Sequence, residues 1–106
     1  MGNEDIVNGH ESEIIDKERQ KVEEPPLFKV FLHNDDYTTM DFVVMVLEAV
    51  FNKDAVAATE IMLNVHKKGV GLAGVYTRDV AETKVAVVHD MSRKNEHPLR
   101  CTMERV

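Results

Sequence analysis

Tryptophan is missing from this chain, cysteine occurs once, and no apolar run approaches the ~20 residues that a membrane-spanning helix needs. Each shortage excludes something. A lone Cys101 forms no internal disulfide and leaves no Cys-x-x-Cys pair for zinc or dithiol redox chemistry, so a reducing, cytoplasmic home is expected. The N-terminus lacks the basic-then-apolar order of a signal peptide. No Gly-x-Ser-x-Gly elbow and no phosphate-binding glycine loop is present. Basic charge is short as well. The formal net charge is −6, and residues 1–26 carry most of it, with eight acids against three bases. Residues 27–106 are nearly neutral, which argues against a basic face for nucleic acid.

What remains is one domain's worth of chain, 106 residues with six methionines, enough for a small and adaptable core. Residues 1–26 are acidic and free of aromatics, and they end in Pro25-Pro26. They read as a flexible tail, because they cannot bury enough apolar surface to offset chain entropy. Leu27–His33 reads as a buried strand. Thr38, three residues before Asp41, resembles a capping box opening a helix over 40–51 with apolar Val43, Val46, Leu47 and Val50. Asp54 caps a second helix, Ala58, Ile61, Met62 and Val65 form its stripe, and Gly69 stops it. Residues 70–76 alternate small and large side chains, as a strand does when a neighbour packs closely on its small face. Thr77 caps a third helix, with Val80, Lys84, Val87, Val88 and Met91 along it, ending near Asn95. Residues 99–106 alternate as a strand with one wet face. The predicted fold class is therefore α+β, in the order β-α-α-β-α-β. Three antiparallel strands form the sheet, and three helices pack on one face.

The most chemically loaded stretch is the corner His33-Asn34-Asp35-Asp36-Tyr37-Thr38, leading into Met40, Phe42 and Val43. It is rich in oxygen acceptors and bordered by apolar residues, a combination suited to a group that is cationic at one end and apolar at the other. The antiparallel helix pair brings the end of the second helix to this corner. His66, one turn after Met62, then joins it, with Met62 and Val65 facing Met40 and Val43. The plainer alternative is a surface histidine beside Lys67-Lys68. A metal site on His33, Asp35, Asp36 and His66 is the rival reading, but structural zinc wants four closed ligands at fixed spacing, and no metal or other cofactor is expected. Cys101 is expected in the core rather than as a nucleophile, and no catalytic group stands out. The N-terminus of a peptide, an ammonium directly followed by a side chain, fits the corner's chemistry.

Four blocks of this chain, FKVFLHNDDYTTMDFVVMVL, ATEIMLNVHKKG, GVYTRDVAETKVAVV and KNEHPLRCTMERV, resemble in order the ClpS family of bacterial Clp protease adaptors. The resemblance covers residues 27–106. It implies a non-enzymatic adaptor that binds N-degron substrates beginning with Leu, Phe, Tyr or Trp. Asn34, Asp35 and His66 would hold the α-amino group, with Asp36 and Thr38 shaping the rim. Met40, Val43, Met62, Val65 and Leu99 would line the pocket, with Met40 as a gate against β-branched residues. Asp79 and Lys84, exposed at the start of the third helix, would dock on the N-terminal domain of the ClpA unfoldase, and the tail would help hand over substrate or alter ClpA's choice of substrates. A monomer is expected, with no nucleic acid or membrane partner. Thr39 stands where many members have proline, which would loosen the helix start, and Asp79 stands where Glu is common.

Overall fold

The computed structural model describes residues 24–106, and the tail expected over 1–26 falls almost wholly outside them. Strand β1 spans Leu27–His33, helix α1 Met40–Ala49 and helix α2 Ala55–Lys68. Strand β2 spans Val70–Thr77, helix α3 Arg78–Lys94 and strand β3 Arg100–Arg105. The order is the one the pattern predicts, and β1 lies between β2 and β3, antiparallel to both. Among the described residues, no helix is long and apolar enough to cross a membrane.

Alternation along β1 decides which face of the sheet is covered. Phe28, Val30 and Leu32 point inward and are buried, and Cys101 pairs with Leu32 on the same face. Against them pack Phe42, Val43, Val46 and Leu47 of α1, Ala58 and Val65 of α2, and Ala81 and Val88 of α3. A bulge in β2 sets Val30 opposite Gly74 but Phe31 opposite Leu72, so Ala73 is the extra residue and is fully buried. The other face stays open, with Leu72 and Val75 about two-fifths exposed.

Two helix starts differ from expectation. Thr39, not Thr38, caps α1, its hydroxyl accepting from the Phe42 N–H at 3.2 Å. Thr38 is held outside the helix by Asp35. The residue in proline's place therefore secures the helix start rather than loosening it. Thr77 stands at the cap position of α3 without a side-chain cap bond, because it is also the last residue of β2, paired with Leu27. Asp54 does cap α2, accepting from the Ala57 N–H at 2.8 Å. Along α3 the buried side chains are Ala81, Val88 and Ser92, whereas Val80 and Val87 are exposed. Small residues face the sheet there, which lets the helix approach closely.

The small face of β2 is explained by α2. A β-carbon built on Gly71 would lie 2.6 Å from Val65 Cγ2 and 3.2 Å from the Ile61 carbonyl oxygen. Gly71→Ala should therefore push α2 off the sheet, lowering stability by about 1–3 kcal/mol in chemical denaturation, as overpacked cores do. An unchanged midpoint would show that α2 has slack at this point.

Candidate functional site

At one end of the sheet, β1 runs into the 34–39 loop and α2 ends beside it. Gly69 stops α2 in the left-handed region, at φ +87°, and the chain enters β2 at the next residue. Val70 pairs with His33, and the Asn34 N–H donates to the Gly69 carbonyl at 2.9 Å. With no intervening loop, the last turn of α2 is fixed against the β1 corner.

Asp35 organises the corner. One carboxylate oxygen accepts from the Tyr37 N–H at 2.8 Å and the Thr38 N–H at 2.6 Å, and the other accepts from the Thr38 hydroxyl at 2.6 Å. Partial burial works to raise its pKa. The bonds from Thr38 and Tyr37, aided by the nearby charge of His97, outweigh that and hold the carboxyl below its ordinary value. Asp35 is thus an anion whose oxygens are largely committed to the loop, so what it offers a ligand is mainly charge.

A cavity of about 430 Å³ opens at this corner. Asn34, Asp35, Asp36 and Thr38 form its polar rim, joined by His66 from α2. Met40 and Val43 of α1 face Met62 and Val65 of α2 across its apolar side. Tyr37 and Thr39, which have no part in the predicted site, also line it, and Tyr37 is 79% exposed. Their position inside the acceptor-rich corner was the available signal. Leu99 lies elsewhere than expected. It is only 3% exposed and lines a neighbouring hollow with His89 and His97. His97 also packs on the buried Phe42 ring, with centroids 4.3 Å apart and the rings tilted by 35°.

The two docking candidates differ from one another. Asp79 is exposed, but Lys84 is only partly so. The Lys84 ammonium donates to the Val50 carbonyl at 2.6 Å and lies 5.0 Å from the Tyr76 ring centroid and 5.7 Å from that of Phe51. It clasps the end of α1 to α3 rather than standing free. With Val80 and Thr83, both residues line a shallow hollow of about 250 Å³.

Cys101 is a core residue, and burial pushes its thiol up to about 12, far from a nucleophile's range. His33 Nε2 sits 2.6 Å from the Thr102 hydroxyl, and burial together with the charge of Arg100 lowers its pKa. Among the described residues, no three His, Cys, Asp or Glu side chains gather as a metal site would require.

Fold and site together define a small α+β binding domain, with an acidic-rimmed, apolar-floored cavity at one end of its sheet. The model of the family described as "ATP-dependent Clp protease adaptor protein ClpS" matches residues 23–102, and the chain belongs to this family. Its members are adaptors, not proteases. Curated relatives named ATP-dependent Clp protease adapter protein ClpS include one from Syntrophus aciditrophicus, 53% identical over the full length of both chains. Another, from Desulfatibacillum aliphaticivorans, is 59% identical over 87% of this chain and 88% of its own. The solved structure of Agrobacterium tumefaciens ClpS2 bound to L-phenylalaninamide superposes with a TM-score of 0.76 at 38% identity, covering 78% of this chain and all of that one.

The depressed pKa of Asp35 has a defined sign. A carboxyl with a folded-state pKa below its unfolded value stabilises the protein above the ordinary carboxylate range, and that stability is lost as pH falls through the folded value. Carbon-detected NMR titration should find Asp35 ionising below the ordinary Asp value of about 3.9, and Thr38→Val should move it upward. An identical midpoint in Thr38→Val would remove the Thr38 hydroxyl from the argument.

Proposed function

We propose that this chain captures substrate proteins by a free α-amino group and a large first side chain, Leu, Phe, Tyr or Trp. It then delivers them to the N-terminal domain of a ClpA-type unfoldase, acting as a monomer in the cytoplasm. One observation carries the reading: Asn34, Asp35, Asp36 and His66 share one rim above Met40, Val43, Met62 and Val65. An ammonium meets acceptors there, the Asn34 amide oxygen and an unprotonated His66 nitrogen, within the negative field of Asp35 and Asp36. The side chain attached one carbon away meets the apolar wall. The phenylalaninamide bound by the Agrobacterium relative has the same two features, a free amine and an apolar side chain.

The magnitudes suit capture and release. Burying a large apolar side chain is worth about 1.5–3 kcal/mol. Hydrogen bonds to a charged group add roughly 1.5–3 kcal/mol each before ordering losses. Micromolar affinity corresponds to about −8 kcal/mol, and a few such contacts are of the size needed to reach it. Asp79, with Val80 and Thr83 beside it, offers the docking surface, and Lys84 supports that surface from below. Residues 1–26 form the separate acidic segment that assists the hand-over.

Fluorescence anisotropy tests amine capture directly. A Leu- or Phe-initiated peptide should bind at about micromolar strength, and N-acetylation or His66→Ala should weaken binding at least about tenfold. An acetylated peptide bound as tightly as the free one would sink the reading. Met40, at the first position of α1 and 44% exposed, stands as the gate. Met40→Ala should therefore admit Ile- or Val-initiated peptides; continued rejection of both would place the selectivity elsewhere.

A further inference from the structure

Beside the peptide cavity lies a second hollow of about 340 Å³, into which His89 and Arg93 of α3 face His97 and Arg100 on the way into β3. Its chemistry is opposite to that of its neighbour. Two guanidiniums and two imidazoles line it, and none of its lining residues is acidic. In a chain with a formal charge of −6, that concentration of basic groups is local rather than compositional. The other polar lining residue, Ser92, already donates its hydroxyl to the Val88 carbonyl at 2.7 Å.

The basic groups are available. His89 Nε2 accepts from the Cys101 N–H at 3.0 Å, so the ring hydrogen is on Nδ1 and the ring keeps a donor. Arg93 touches Asp90 only at 3.6 Å, between well-exposed side chains, while Asp90 is held closer by Lys94 at 2.9 Å. A surface contact of that kind restrains Arg93 little. Arg100 is exposed. The hollow also adjoins the peptide site. His97, which lines the hollow, stacks on Phe42 of α1, and its charge reaches Asp35 on the peptide rim.

We propose that this hollow is a downstream subsite that takes the carboxylate of a Glu or Asp side chain a few residues after the captured first residue. The proposal rests on the amine-capture reading and narrows its substrate class. Planar guanidinium forks match carboxylates, and a single small hollow on an acidic chain does not suit a polyanion. The preference depends on position. An acidic residue directly after the first meets Asp35 and Asp36 and is repelled, whereas one farther along meets Arg93, Arg100 and the two imidazoles.

Anisotropy competition decides it, using Leu-initiated peptides that carry Glu or Gln at each position from two to six. Glu should bind about three- to tenfold tighter than Gln at one of positions three to six. That advantage should vanish in Arg100→Glu, fall in Arg93→Gln and shrink in high salt, while the Gln peptides bind all three proteins alike. Equal binding of Glu and Gln at every position overturns the subsite, as does an advantage that survives both substitutions. An N-acetylated control separates the two ideas. If acetylation abolishes binding while Glu and Gln are equivalent, only the subsite fails; if acetylated peptides bind equally well, amine capture itself fails.

Discussion

The site depends on how tightly α2 is joined to the sheet. Gly69 takes a left-handed conformation that other residues adopt only with strain, and the chain becomes β2 one residue later. The Asn34 N–H bond to the Gly69 carbonyl then closes the corner from the other side. Because His66 stands three residues before that stop, its place against Asn34 follows from backbone hydrogen bonding rather than from contacts of its own. Acceptors contributed by elements more than thirty residues apart are thereby held without cost to the ligand's binding, since the fold has already ordered them.

Charge at the corner is divided between two carboxylates with different work. Asp35 is committed to the Tyr37 and Thr38 amides and the Thr38 hydroxyl, and so shapes the loop while staying ionised. Asp36 is exposed at the same rim. The methionines and valines below supply an adaptable apolar floor, since Met fits side chains of varied shape. The corner thus sets ionised and polar acceptors directly beside an apolar floor.

Much of this was legible locally. The strand β1, the Asp54 cap, the Gly69 stop, the alternation of β3 and the acceptor-rich corner follow from residues close in sequence, where periodicity and cap chemistry operate. Nine of the ten residues expected around the ligand line one cavity. Leu99 does not: just before β3 it is buried in the core and lines the neighbouring hollow, a placement set by packing between distant segments. The assignment of α1's cap went to Thr38 for a related reason: Asp35 competes for both donors of Thr38, and the spacing rule does not register that competition.

Sequence alone therefore determined the order of the elements and the acceptor-rich character of the corner, since these depend on short-range backbone preferences and side-chain chemistry. Tertiary structure decided which face of α3 is buried, that Lys84 clasps the Val50 carbonyl instead of standing free, and that a basic hollow lies beside an acidic rim. Those outcomes depend on which distant surfaces meet and how closely, and packing distance leaves no periodic trace along the chain.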